Sequence, residues 1–185
     1  DQSTRDSQLI EMQGEGFERI LVSLNPAQIA GLDNFLLRVE IDKLLSAAHT
    51  NGMKAELLLG DPHWLYPAER TKLVDIIKRV SAFKFDGIHL DIEQDSLPGA
   101  ENKRAELFGM LLDTVAAAKD ATKLPLSLSL HPRYLEGDFG AEANRRLGAI
   151  GVDYVTVMIY SSKDINAVAK RFSTIAICSP TLKLR

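Results

Sequence analysis

The feature that most constrains this chain is a regular alternation of short, apolar, β-rich runs with longer amphipathic stretches. The runs are Arg19–Leu24, Lys54–Leu59, Phe85–Ile92, Leu124–Leu130, Val152–Tyr160 and Ser173–Cys178. Between them, Asn34–Thr50 sets Phe35, Val39, Leu44, Leu45 and Ala48 near one helical face and stops at Asn51-Gly52. A helix opening at Pro67, a residue suited to a first helical turn, carries Leu73, Ile76, Ile77 and Val80. Another carries Leu107, Phe108, Leu111, Leu112 and Val115. Asn144–Ile150 and Asp164–Phe172 complete the series, and Thr4–Gln13 forms a helix ahead of it.

Continuous apolar strands separated by helices indicate a parallel sheet covered by helices. Strand starts at 19, 54, 85, 124 and 152 are separated by 35, 31, 39 and 28 residues. A (β/α)8 barrel of about 250 residues needs about 31 per unit, so the spacing predicts a TIM-type barrel. A doubly wound open sheet would place a Gly-rich phosphate loop after its first strand, and here Leu24-Asn25-Pro26 follows instead. Six strands are visible, so the barrel reads as incomplete, with its first and last strands not evident. The expectation is one domain over residues 1–185 that forms part of a longer protein.

In such barrels the reacting groups sit at the C-terminal ends of the strands. The second strand ends in Gly60-Asp61-Pro62-His63-Trp64 and the third in His89-Leu90-Asp91-Ile92-Glu93. The fourth ends in His131-Pro132-Arg133-Tyr134 and the fifth in Met158-Ile159-Tyr160-Ser161-Ser162. Strand alternation puts His89, Asp91 and Glu93 on one face, pointing into the barrel, while Ile88, Leu90 and Ile92 pack under helices. Two carboxylates and an imidazole side by side are costly unless paired or functional. Close carboxylates also split their pKa values, which lets one act as an acid near neutral pH. Glu93 at the strand tip is the candidate acid, and Asp91 its orienting neighbour. Asp61, Trp64, His89, His131 and Arg133 are candidate substrate contacts. Trp64 offers either a stacking face for a sugar ring or a cover for the barrel rim. His49, late in a helix, reads as a C-terminal cation.

Asp86-Gly87-Ile88-His89-Leu90-Asp91-Ile92-Glu93 resembles the DGxDxDxE strand of family 18 glycoside hydrolases, the chitinase-like barrels. Met158-Ile159-Tyr160 is similar to the later Met-x-Tyr-Asp strand end of that family, in the proper order and one βα unit on. The resemblance implies that Glu93 protonates the glycosidic oxygen, Asp91 positions a substrate acetamido group and Tyr160 hydrogen-bonds its carbonyl. The acetamido oxygen would then be the nucleophile, a recognised exception to the two-carboxylate scheme. His89 stands where the family has its middle Asp, Ser161 where it has Asp after the Tyr, and Ile92 where an aromatic is usual. These departures imply a divergent, chitinase-like glycosidase with a specificity other than chitin. The resemblance also implies export from the cytoplasm and a carbohydrate substrate, and the residues imply no organic cofactor, with neither a phosphate-cradling Gly loop nor a cysteine cluster.

Two other classes stay open on the residues alone. A metal-dependent barrel enzyme, such as a phosphodiesterase or isomerase, could use Asp61, His89, Asp91, Glu93 and His131, although no recognised metal spacing such as His-Glu-x-x-His occurs. A non-catalytic carbohydrate-binding barrel could keep the same surface without chemistry. Composition narrows the field further. The net charge of -3 has no basic cluster, which argues against nucleic acid, and no apolar run is long enough to span a bilayer. The single cysteine, Cys178, excludes an internal disulfide and reads as a small core residue of a sixth strand.

Overall fold

A computed structural model describes residues 2–160 and 163–185. Among them five short strands, β1 (Arg19–Ser23), β2 (Lys54–Leu59), β3 (Gly87–Leu90), β4 (Leu126–Leu130) and β5 (Tyr154–Val157), form one sheet in chain order. Every neighbouring pair is parallel. The helices are α1 (Gln2–Gly14), α2 (Pro26–Ala30), α3 (Phe35–Thr50), α4 (Pro67–Val80), α5 (Arg104–Asp120), α6 (Gly137–Ile150) and α7 (Ile165–Cys178). Each crossover between strands contains at least one helix, which is the repeat of a (β/α) barrel. The chain builds five consecutive strands of such a barrel.

Local chemistry sets the element ends. The Asn34 side chain accepts from the Leu36 and Leu37 amides and so caps α3, which closes at Asn51 before Gly52 at φ +70°. Asn25 and Gln28 exchange side-chain bonds to each other's backbone in a capping box that starts α2, a helix not predicted from the sequence. Pro67 opens α4. His49 does more than end a helix favourably. Its Nε2 lies 2.8 Å from Asp86 Oδ2, which also accepts from the Ala55 amide at 2.8 Å. Burial alone would raise the Asp86 carboxyl, yet these two bonds hold its pKa below the ordinary range. Asp86 therefore ties the start of β2 to the start of β3, away from the strand tips.

The helix-facing side of the sheet is apolar. Ala55, Leu57, Leu59, Ile88, Leu90, Leu126, Leu128 and Leu130 are buried in one core with Leu73 and Ile77 of α4 and Leu111 and Val115 of α5. Each such leucine removed from water contributes about 1.5–3 kcal/mol.

The predicted sixth strand is not one. Ser173–Cys178 is the last half of α7, with Ile175 buried and Ile177 exposed. No turn residue separates Phe172 from Ser173, so the helix opened by the Asp164 cap runs through the apolar run. Cys178 is accordingly exposed and belongs to no core. Beyond α7 the chain turns back, and Val155 pairs in parallel with Leu184 on the free side of β5. The Arg185 amide donates to the Val155 carbonyl at 2.9 Å. The segment reaching Arg185 thus occupies the place of the next strand.

Candidate functional site

The register places a continuous polar row on the barrel-facing side. Leu58 pairs with His89, His89 with Ser127, and Ser127 with Tyr154, while Leu21 pairs with Glu56. Glu56 is fully buried, ion-paired through Oε1 with Arg19 Nη1, and its Oε2 accepts from Tyr154 Oη at 2.7 Å and Ser127 Oγ at 3.1 Å. Space for it exists because residue 87 is glycine: a β-carbon there would lie 3.1 Å from the Glu56 side chain. His89 is also fully buried, with Nδ1 2.8 Å from Ser127 Oγ and Nε2 2.9 Å from Ser129 Oγ. Burial, followed by the Arg19 charge, lowers its pKa to about 4, so the ring is neutral at pH 7.

Above His89 the three predicted site residues of β3 separate. Asp91 remains on the inward face, half-buried, with its Oδ1 enclosed and without a hydrogen-bond partner. Burial raises its pKa, and the neighbouring Ser129 hydroxyl opposes that rise. Glu93 is exposed, because the chain leaves extended geometry there (φ -84°, ψ 87°) to begin a 3-10 turn over Gln94–Ser96. The expectation of three polar groups buried side by side is therefore corrected: His89 is buried, Asp91 half-buried and Glu93 open to solvent. Asp91 and Glu93 still border one depression, with Ser23, Gly60 and Ser96.

A second cleft adjoins it. Glu93 and Tyr160 both line this cleft, together with Gln94, Asp95, His131 and Tyr134. Gln94 is buried, and its Nε2 has no hydrogen-bond partner. Tyr134 Oη donates to Asp95 Oδ1 at 2.7 Å, and burial together with that bond pushes the phenol pKa up. Arg133 Nη1 and Arg104 Nε each reach Asp95 at 3.5 Å. His131 Nδ1 accepts from the Arg133 amide at 3.2 Å and from Arg133 Nε at 3.0 Å, capping the short 3-10 turn Pro132–Leu135. Burial and the Arg133 charge lower the His131 pKa.

Tyr160 is 85% exposed and free to meet a ligand. Ser161, the position of the missing motif Asp, lies outside the described residues. Asp61 is engaged locally: its Oδ1 accepts from the His63 amide and faces His63 Nδ1, both at 2.9 Å, so it caps the 3-10 turn Pro62–Leu65. Trp64 is only 7% exposed. A stacking platform needs an open ring face, and at this exposure Trp64 presents little of one. Asp61 and Trp64 border a groove between β1, β2, α2 and α4 that shares Ser23, Leu58, Gly60 and Pro62 with the Asp91 depression.

Sequence reasoning missed Glu56, Arg19, Ser129, Tyr154, Gln94 and Asp95. One signal was present: Lys54-Ala55-Glu56-Leu57-Leu58-Leu59 carries a lone acid inside an apolar strand. Such an acid needs a buried partner. Among the described residues, no three His, Cys, Asp or Glu side chains converge closely enough to hold a metal ion. No helix among them is long and apolar enough to cross a membrane.

No family model matches the chain, and no curated protein matches it significantly. Solved structures do share its fold. QR15, an aldolase, superposes with a TM-score of 0.59 at 10% identity, over 100% of this chain and 73% of the aldolase. Dihydrodipicolinate synthase from Cyanidioschyzon merolae, with lysine bound, gives 0.56 at 17% identity over 100% and 56%. A mutant of the O-GlcNAc hydrolase of Thermobaculum terrenum gives 0.51 at 13% identity over 85% and 37%. The chain spans 73%, 56% and 37% of the length of these three proteins. At such identities the likeness establishes a TIM-barrel fold and nothing of the chemistry.

Proposed function

We propose that this chain carries the acid-bearing face of a glycoside hydrolase, with Glu93 as general acid. The observation that carries the reading is a pair of enclosed, unpartnered polar atoms, Asp91 Oδ1 and Gln94 Nε2, on either side of the solvent-facing Glu93. Buried polar groups are almost always satisfied, so an unsatisfied pair beside an open carboxyl calls for a partner, which a bound ligand or an ordered water can supply. One acceptor or hydroxyl and one amide donor next to an accessible carboxyl suit a hydroxyl- and amide-rich ligand such as a glycan.

In this reading Glu93 gives its proton to the leaving glycosidic oxygen. Asp91 and Gln94 hold the sugar from below, and Tyr160 closes on it from β5. The resemblance to the family 18 strand supports Glu93 and Asp91 in these roles. Among structures of this fold there is also an aldolase, and imine chemistry on a carbonyl substrate would need a lysine amine. No lysine stands at the C-terminal ends of the five strands, from Ser23–Asn25 round to Met158–Tyr160. That observation favours acid catalysis over imine chemistry.

The test is reducing-sugar release from a panel of N-acetylated and non-acetylated glycans, with the Glu93→Gln variant alongside. Release confined to one glycan class and lost in the variant supports the reading. Acetyl dependence would further identify a substrate-assisted route. Binding without turnover, equal in both proteins, would assign the chain to a carbohydrate-binding barrel instead.

A further inference from the structure

The buried polar row has three hydrogen bonds and three hydrogens to make them. His89 Nδ1 lies 2.8 Å from Ser127 Oγ, its Nε2 lies 2.9 Å from Ser129 Oγ, and Ser127 Oγ reaches Glu56 Oε2 at 3.1 Å. A neutral imidazole and two serine hydroxyls supply one hydrogen each. His89 is fully enclosed, and the Tyr154 ring beside it lies under the guanidinium groups of Arg19 and Arg185 at 4.8 and 4.5 Å. The Glu56 carboxylate is already paired with Arg19. These surroundings oppose a second proton on the ring.

A neutral ring leaves two orders of donation. In the first, Ser127 donates to Nδ1 and Nε2–H donates to Ser129. Ser127 then has no hydrogen for Glu56, and two oxygens face each other at 3.1 Å with none between them. In the second, Ser127 donates to Glu56 and accepts from Nδ1–H, and the bare Nε2 accepts from Ser129. Only the second makes all three bonds. Glu56 decides between them, because an ionised carboxylate can only accept. A further acceptor for the Ser127 hydroxyl, the Ile88 carbonyl at 3.4 Å, also draws its hydrogen away from His89.

We infer that buried Glu56 is a positioning residue that locks His89 as the Nδ1–H tautomer through Ser127, and so makes Ser129 a pure hydrogen-bond acceptor for a ligand. Ser129 lines the same cleft as Glu93, Gln94 and Tyr160. Its one hydrogen is spent on Nε2, so its oxygen meets a ligand through a lone pair alone. The unpartnered Gln94 Nε2 of that cleft offers hydrogens instead. The cleft therefore discriminates by polarity at Ser129: a free hydroxyl or N–H is matched there, and an O-methylated oxygen is refused. That specificity rests on the glycosidase reading, in which the matched donor is an unsubstituted sugar hydroxyl. The tautomer does not.

The experiment is a long-range proton–nitrogen NMR spectrum of ¹⁵N-histidine-labelled protein at pH 7, which reports the tautomer of His89 directly. The expected result is a neutral ring with Nδ1–H dominant by about tenfold or more, because the alternative leaves one buried bond unmade. In Glu56→Gln, Arg19 keeps the amide oxygen and the amide nitrogen faces Ser127 as a donor, so the ring shifts toward Nε2–H. An imidazolium or an Nε2–H ring in the wild-type protein would overturn the inference, as would a tautomer indifferent to Glu56→Gln. Should that variant fail to fold, the wild-type tautomer still decides. On a glycan that the protein hydrolyses, Ser129→Ala should raise KM about three- to tenfold, the worth of one neutral hydrogen bond. Glu56→Gln should add little to KM in that background, and additive losses would break the link from Glu56 to Ser129. An Nδ1–H ring in a protein that hydrolyses no glycan would defeat the glycosidase reading and leave the tautomer lock standing.

Discussion

The backbone of Gly60 lies so close to that of Asp91 that a β-carbon on residue 60 would stand 2.6 Å from the Asp91 carbonyl oxygen. The end of β2 therefore sets where the Asp91 carboxyl sits, through backbone contact rather than through any side chain. The neighbouring Leu59 carbonyl accepts the Asp91 amide at 2.9 Å and holds the same approach.

Gly60→Ala should push the Asp91 segment away. Overpacking of this kind costs about 1–3 kcal/mol. Urea unfolding should show that loss, and amide shifts in NMR should change most at Asp91 and Ile92. An alanine variant of unchanged stability and spectrum would mean the strand ends are looser than this contact implies.

Stability should depend on pH through His89. Its pKa is about 4 in the folded chain against an ordinary 6.5. Between those values the unfolded chain binds the proton and the folded chain does not, so the stabilisation is complete above pH 6.5 and lost as pH falls toward 4. At 1.36 kcal/mol for each tenfold change in proton affinity, the full loss is about 3 kcal/mol. Denaturation midpoints at pH 7 and pH 4.5 should differ in wild type, and differ less in His89→Gln. Equal pH dependence in both would assign the effect to other groups.

Tyr134→Phe should cost about 1.5–3 kcal/mol, the usual range for a bond to a charged acceptor. The phenol is buried and donates to Asp95 at 2.7 Å, and its ring stacks on Phe108 with centroids 5.0 Å apart. Phenylalanine keeps the stacking and removes only the bond. A loss below a few tenths of a kcal/mol in equilibrium unfolding would show that Arg133 and Arg104 satisfy Asp95 without the tyrosine.

The end of α7 can be tested by two substitutions. In a strand Ile175 and Ile177 would share a face and cost alike, whereas in the helix Ile175 is 1% and Ile177 81% exposed. Ile175→Ala should cost about 2–5 kcal/mol. Ile177→Ala should stay within about 0.5 kcal/mol. Similar losses at both positions would restore the strand.

The barrel was legible because its signals are local and repeated. Asn34 and Pro67 mark helix starts, Asn51-Gly52 marks a stop, and the strand runs recur at the spacing of one βα unit. Ser173–Cys178 misled because a short apolar run fits a strand and a helix equally, and only the neighbouring turn chemistry separates them. At the site, alternation along β3 placed His89, Asp91 and Ile92 well. It failed at Glu93, because the strand stops at Leu90 and the backbone turns before the acid. The partners of His89 lie on β4, and those of Glu56 on β1, β4 and β5. Contacts between strands follow from register, which no single stretch of sequence displays.

The most direct test of Glu93 as general acid compares two substrates of different leaving group. An aryl glycoside with an acidic phenol departs with little need of a proton, whereas a glycan hydroxyl needs one. General acid catalysis supplies about 10²–10⁴-fold, so Glu93→Gln should lower kcat/KM on the glycan by that factor and on the aryl glycoside far less. Wild-type turnover of the glycan by the variant, or equal losses on both substrates, would contradict the assignment of the acid to Glu93.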